Sequence, residues 1–267
     1  MSCSRDLPPW DLSLVITSPT TGYVWENAWY PCMGVASVDF LADVRNVSAS
    51  GGGSPGVSLK PAIQLAAVRQ DRPSAGAFIA AGSAITANGT THYQETLGGG
   101  SYFFWRRGFS FKLTGVGATF GYAEVKLYTS FRSCGTVFSA KELVFNPFDD
   151  NTEASYLPLT GPFSAIGVDK AKLAIVGLAN TSSTMQYSLA ARAFNDPMAR
   201  GGWTDILAFA NPSPTTGDFE ANTGEQAFTG ITLVNYQWAE LALGVKTTSA
   251  GTPPRVIFHV IPSISYT

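Results

Sequence analysis

The chain has 267 residues, of which 45% are apolar and only 13% charged, with a formal net charge of −2. That charged share is about half the globular norm of roughly 25%, which points to a surface partly covered by neighbours. The longest positive run is Arg106-Arg107, so nucleic acid, which needs a positive track to displace counterions, is excluded as a partner.

The N-terminal residues Met1 to Pro9 contain no apolar core of the kind a secretory signal needs. No stretch approaches the ~20 apolar residues of a membrane span. The expectation is a protein made in the cytoplasm with no membrane partner. Residues 1–33 are rich in proline and tryptophan: Pro8, Pro9, Trp10, Pro19, Trp25, Trp29 and Pro31. They read as an extended N-terminal arm, which either reaches a neighbouring subunit or folds back over its own domain. Val15-Ile16-Thr17 is a short strand within it.

Residues 34–145 read as a first antiparallel β-sandwich. Phe109, Phe111 and Leu113 alternate with Ser110 and Lys112; Ala123, Val125 and Leu127 alternate with Tyr122, Glu124, Lys126 and Tyr128. A period of two buries one strand face and leaves the other for solvent or a partner. Ser48 to Pro55, with Gly51-Gly52-Gly53, and Gly98-Gly99-Gly100 read as flexible connections. Residues 146–163, with Asn146-Pro147-Phe148-Asp149-Asp150-Asn151 and then Pro158, Gly161 and Pro162, read as a linker. Residues 164–267 read as a second sandwich, with Tyr187, Leu189 and Ala191, then Val256, Phe258 and Val260, in alternation. The fold class is all-β, with helix limited to a turn near Ala191–Ala193 or Asp196–Arg200.

The two sandwiches read as copies. Val38-Asp39 is echoed by Val168-Asp169. Ile63-Gln64-Leu65-Ala66-Ala67, running on to Asp71-Arg72-Pro73, is echoed by Tyr187-Ser188-Leu189-Ala190-Ala191, running on to Asn195-Asp196-Pro197. Tyr122 to Leu127 is echoed by Trp238 to Leu243 at an Ala-Glu-x-x-Leu core. The separation between matched pairs shrinks along the chain, so the first copy has the longer loops.

A catalytic set is hard to assemble. Of the two histidines, His259 sits in mid-strand and reads as structural, while His92 lies in the polar Thr90-Thr91-His92-Tyr93 with no partner nearby in sequence. No zinc-protease, P-loop or nucleophile-elbow motif occurs. Asp149 with Asp150, or Glu124 with Glu240, could pair for glycoside hydrolysis, but the glutamates read as solvated strand faces in equivalent places of the two copies. Asp149, Asp150, Asn151 and Glu153 could hold calcium, although an Asp/Asn-rich turn is the simpler reading. Cys3, Cys32 and Cys134 lack metal spacing; a Cys32–Cys134 bridge is less expected than buried thiols. The expectation is therefore no catalytic residue, no metal and no cofactor.

Aromatics remain as binding candidates. Tyr102-Phe103-Phe104-Trp105-Arg106-Arg107 is the densest run, and with Trp10, Trp25 and Trp29 it forms the candidate interface. If buried, the same run is core strand with two snorkelling arginines. In alternation Phe103 and Trp105 share one face and Phe104 takes the other. Trp203 reads as a core or rim residue. Asn46, Asn88 and Asn180 head glycosylation-type triplets that mark surface turns.

Leu189-Ala190-Ala191-Arg192, Asn195-Asp196, Gly202-Trp203-Thr204-Asp205-Ile206, Trp238-Ala239-Glu240-Leu241 and Gly251-Thr252-Pro253 together resemble a β-sandwich common among structural proteins of tailed bacteriophages. There a strand ends in an Asn/Asp turn, a Trp opens the next strand and a closing hairpin follows. The resemblance covers residues 165–262; the first copy departs from it, with Gly76-Ala77-Phe78 at the Trp position and a longer Arg72-Pro73 turn. It implies a capsid decoration or cement protein, displayed on the virion, with the major capsid protein or other virion proteins as partners. Such a protein binds the assembled shell and stabilises it by mass action, as a symmetric homo-oligomer gaining avidity from several sites. Two other readings stand beside it. A double jelly-roll major capsid protein predicts eight strands per copy and self-assembly. A glycan-binding module or tail-tip adhesin predicts a row of exposed aromatics.

Overall fold

A computed structural model describes residues 4–74, 78–97, 101–133, 135–147, 152–248 and 253–267. The first sandwich is built from β1 (Ser4–Ile16), β2 (Gly22–Trp25), β3 (Tyr30–Pro31), β4 (Val35–Ser50), β5 (Gly53–Ala66), β6 (Phe78–Ala80), β7 (Gly89–Thr96), β8 (Phe104–Val116) and β9 (Phe120–Ser133). One sheet has the order β1-β9-β4-β7; the other has β2-β8-β5-β6, with β3 also on β8. The second sandwich is built from β10 (Gly135–Val137), β11 (Lys141–Phe145), β12 (Ser155–Pro158), β13 (Phe163–Ser164), β14 (Val168–Asn180), β15 (Met185–Phe194), β16 (Thr204–Asp205), β17 (Gly217–Asn222), β18 (Gln226–Ala227), β19 (Trp238–Thr247) and β20 (Val256–Tyr266). Its sheets run β10-β20-β14-β17, with β11 on β20 and β18 on β14, and β12-β19-β15-β16, with β13 on β19.

The two orders superimpose position by position. β1 corresponds to β10 with β11, β2 and β3 to β12 and β13, β4 to β14, β5 to β15, β6 to β16, β7 to β17 with β18, β8 to β19 and β9 to β20. Each copy thus has eight strand positions, four per sheet, all pairings antiparallel, with the chain crossing between sheets in Greek-key fashion. This is a jelly roll, made twice.

Alternation dictates the cores. In β4, Phe40, Ala42 and Val44 are fully buried while Leu41 and Asp43 point outward; in β9, Ala123, Val125 and Leu127 are buried while Tyr122, Glu124 and Tyr128 are not. One core gathers these with Leu59, Ile63, Leu65, Trp105 and Phe109. The second gathers Leu173, Ile175, Leu189, Leu241, Leu243, Phe258 and Val260.

Several expectations are corrected. The N-terminal segment does not stand away as an arm: β1 pairs with β9 from Ser4 to Ile16, and β2 and β3 pair with β8. Pro8-Pro9 fall where the register shifts between Leu7 and Trp10, on an outer strand where a missing donor costs no ladder bond. The first sandwich ends at Ser133, because β10 and β11 pair with β20 of the second. The supposed linker carries β12 and β13, both on β19; its Asp149-Asp150-Asn151 lie outside the described residues, as do Gly98-Gly99-Gly100, Gly76-Ala77, Cys3 and Cys134. Gly51-Gly52 is no slack loop but a tight corner between β4 and β5. Gly52 has φ +61°, and a Cβ there would lie 2.0 Å from the Val116 carbonyl oxygen. Of the three internal matches, Val38/Val168 fall on β4 and β14, and Ile63/Tyr187 on β5 and β15. The third joins β9 to β19, which hold different positions. Ala191–Ala193 is strand; among the described residues the helical element is a 3-10 turn at Leu233–Asn235.

Candidate functional site

The site that the fold creates is the joint between the two sandwiches. The outer face of the β5–β8 sheet meets the outer face of the β14–β20 sheet. Ala66, Val68, Phe103 and Phe104 from the first half pack with Ala174 of the second, flanked by Trp29, Val137, Val176 and Ile261. β14 is accordingly buried on both faces: Leu173 and Ile175 enter its own core, while Lys172 and Ala174 face the first sandwich.

Polar contacts tie the apolar joint. Lys172, 1% exposed, donates from Nζ to the Tyr102 carbonyl oxygen and lies 5.4 Å from the centre of the Phe103 ring. Burial pushes its ammonium pKa below the usual lysine range. Asn222 Nδ2 donates to the Ala67 carbonyl oxygen at 2.6 Å. Arg72 and Arg69 pair with Glu220 at 3.1 and 3.7 Å.

Where the two faces diverge, a groove of about 820 Å³ opens, floored by Trp29, Phe104, Val176, Leu178 and Ile261. Arg106 stands on its wall. Its guanidinium lies 4.6 Å from the centre of the Trp29 ring and 5.7 Å from that of Trp25. Its Nε donates to Gln64 Oε1 at 2.5 Å and its terminal nitrogen to the Glu26 carbonyl oxygen at 3.4 Å. Among the described residues it pairs with no carboxylate. Desolvation by burial holds its pKa below the usual arginine value.

Most of the candidate run makes its contacts within one chain, while Trp29 and Arg106 line the open groove. Tyr102 and Phe103 carry the joint. Trp105 is fully buried between Tyr30 and Phe131, at ring distances of 5.0 and 5.3 Å. Trp25 stacks on Tyr23 at 5.4 Å. Arg107 does not snorkel: it is buried, reaches Glu26 at 2.8 and 2.9 Å, donates to Thr129 and the Pro8 carbonyl, and has Trp10 at 5.8 Å. Phe103 and Trp105 do not share a destination, since Phe103 falls just before β8 and turns to the joint.

The acidic candidates also move. Glu240 is buried, not solvated, and is held by Arg192 at 2.7 Å and Arg200 at 2.9 Å, with Trp203 4.2 Å over Arg192. Glu124 sits on a different strand position and accepts from Asn46 and Tyr122. His92 does have a neighbour, Asp39 at 3.5 Å across the strand pair, and His259 has Glu142 at 3.6 Å. Asn180 is buried rather than on a surface turn, donating to the Ser182 and Thr215 carbonyls. Cys32 is a buried free thiol that burial pushes up to about 12. Among the described residues no group of three or more His, Cys, Asp or Glu could hold a metal. No helix among the described residues is long and apolar enough to cross a membrane.

A second feature escaped the sequence. At one end of the second sandwich three connections meet: Ala165 N donates to the Gln237 carbonyl at 2.9 Å, Gln237 N to Asn195 Oδ1 at 2.9 Å, and Asn195 Nδ2 to the Asn235 carbonyl at 3.1 Å. Together they present Ile166, Met198 and Val234, 75%, 92% and 87% exposed, beside the partly exposed Tyr236 and Trp238. The three lie in connections far apart in sequence, so only the hydrogen bonds between those connections reveal that they share one end of the sandwich.

No family model matches the chain, and no curated protein matches it. Among solved structures, the chain is similar to the CBM22-1–CBM22-2 tandem domain from Paenibacillus barcinonensis Xyn10C, at 11% identity over 96% of this chain and 97% of that one, with a TM-score of 0.25. It is similar to a chain of the infectious bursal disease virus Gx strain, at 6% identity over 99% and 72%, with a TM-score of 0.34. It is also similar to a chain of Sulfolobus Turreted Icosahedral Virus, at 11% identity over 98% and 90%, with a TM-score of 0.25. At such identities and scores these likenesses carry no inference about what the chain does.

Proposed function

We infer that this chain is a non-catalytic structural subunit of a virus shell, a double jelly-roll coat protein whose principal partners are further copies of itself. The observation that carries the reading is the repetition of all eight jelly-roll positions, in the same sheet orders, in both halves. Jelly rolls recur in viral capsids as well as in lectins and other proteins, so fold alone does not fix the role. Two further features favour the coat. The halves pack face to face through an apolar joint. The chain carries a formal net charge of only −2, so neighbouring copies repel one another weakly. A sugar-binding role draws less support, because the densest aromatic run is committed to contacts inside the chain.

The test is assembly of the purified chain alone, followed by sedimentation and electron microscopy while concentration and ionic strength are raised. The coat reading expects closed shells or regular arrays without any other protein. A chain that stays monomeric throughout, yet decorates preformed particles, overturns it in favour of a cement protein.

A further inference from the structure

The exposed apolar end of the second sandwich and the groove at the joint are opposite in form and matched in chemistry. We propose that they bind each other between copies: the Ile166–Met198–Val234 end of one molecule seats in the Trp29–Phe104–Arg106 groove of the next. This deepens the coat reading and rests on it.

Two independent observations meet here. The first is a patch that water alone does not account for: Met198 and Val234 are 92% and 87% exposed, and Tyr236 and Trp238 extend the apolar surface beside them. Scattered exposed apolar side chains are ordinary, but several presented at one end of a sandwich, on connections hydrogen-bonded to one another, mark an interaction site. The loops are held, not loose. Asp196 Oδ1 accepts the Met198 amide at 2.8 Å, and the Ala199 amide donates to the Asp196 carbonyl at 3.0 Å, which keeps Met198 projecting. A backbone held this way loses little further entropy on docking.

The second observation is the groove, with an apolar floor and about 820 Å³ of space. Its wall carries Arg106, fixed by two tryptophan rings and Gln64 and pairing with no carboxylate among the described residues. A half-buried guanidinium so placed calls for an anion. The knob brings one: Asp196 is exposed, two residues from Met198, and forms no ion pair among the described residues. Apolar side chains thus meet apolar floor, and a carboxylate with no ion pair among the described residues meets a guanidinium with none, in a groove whose other close charges, Arg69 and Asp71, already pair with each other. Because the two surfaces differ, the contact is heterologous, and it propagates from copy to copy until rotation closes it. That is the property a shell needs.

Charge exchange tests the pairing. Asp196→Arg and Arg106→Glu are each expected to raise the concentration for assembly at least tenfold, as is Met198→Asp with Val234→Asp. Mixing the Asp196→Arg protein with the Arg106→Glu protein restores assembly, because each reversed knob meets a reversed groove. Melting curves confirm that the variants fold; should Arg106→Glu not fold, Leu178→Glu replaces it on the groove side, and the knob variants are read beside it. Assembly that proceeds unchanged in the knob variants overturns this contact and leaves the coat reading standing. A wild-type chain that never self-associates overturns both.

Discussion

Arg107 and Glu26 form a buried bidentate pair, 2.8 and 2.9 Å apart, that fastens the connection between β2 and β3 to the first few residues of β8. Tyr30 adds a third contact by donating to the same carboxylate at 3.0 Å. Removing one partner of such a pair strands the other charge without water. Glu26→Ala is therefore expected to destabilise the fold by about 3–5 kcal/mol, read by urea denaturation. Glu26→Leu combined with Arg107→Met is expected to cost less than Glu26→Ala alone, because no orphan charge remains.

The joint couples the halves. Phe104 is buried there against Ala174 and Val68. Phe104→Ala removes that packing at a cost of about 3 kcal/mol. With the joint weakened, thermal unfolding is expected to separate into two transitions where the parent shows one. Scanning calorimetry reads the difference, and a single transition in Phe104→Ala would mean the two cores are coupled by something other than this contact.

Alkaline stability should report on Cys32. Burial raises its thiol from an ordinary 9.0 to about 12. Between those values the unfolded chain releases a proton that the folded chain keeps, so the folded state is favoured below pH 9 and loses that advantage as pH climbs towards 12. The slope for one such group is at most about 1.4 kcal/mol per pH unit. Cys32→Ala is expected to flatten the decline of the melting temperature above pH 9 relative to the parent. Parallel curves would show that the thiol already ionises normally in the folded protein.

The Gly51-Gly52 corner should tolerate no side chain. Gly52 lies at φ +61° with the Val116 carbonyl oxygen 2.0 Å from where a Cβ would stand. Gly52→Ala is expected to cost more than about 1 kcal/mol, seen as a lower melting temperature, whereas Gly53→Ala, with nothing within 4 Å, is expected to be near neutral.

The strands were legible because burial imposes a period of two on residues such as Phe40, Ala42 and Val44. The duplication was legible on β4/β14 and β5/β15, where inward positions coincide. It was misread on β9/β19 because Ala-Glu-x-x-Leu is a pattern any half-buried strand can carry, and five residues cannot say which neighbour the strand pairs with. β1 was hidden by Pro8-Pro9, which suggest an extended arm unless one knows that they fall at a register shift on an outer strand. The joint was illegible for a different reason. Lys172 is a charged residue in β14 whose burial depends on the long-range approach of Tyr102, which no local pattern encodes. The aromatic run reads either as an interface or as core strand, and local sequence does not reveal that Trp105 goes to the first core while Phe103 and Phe104 pack against the other half of the same chain.

β9 ends at Ser133 and β10 begins at Gly135, with each strand committed to a different sandwich. So short a connection keeps the two halves side by side, and the packing of Phe104 against Ala174 sets how their outer faces lie together. In the proposed coat, the curvature of a layer then comes largely from how neighbouring copies lean against one another.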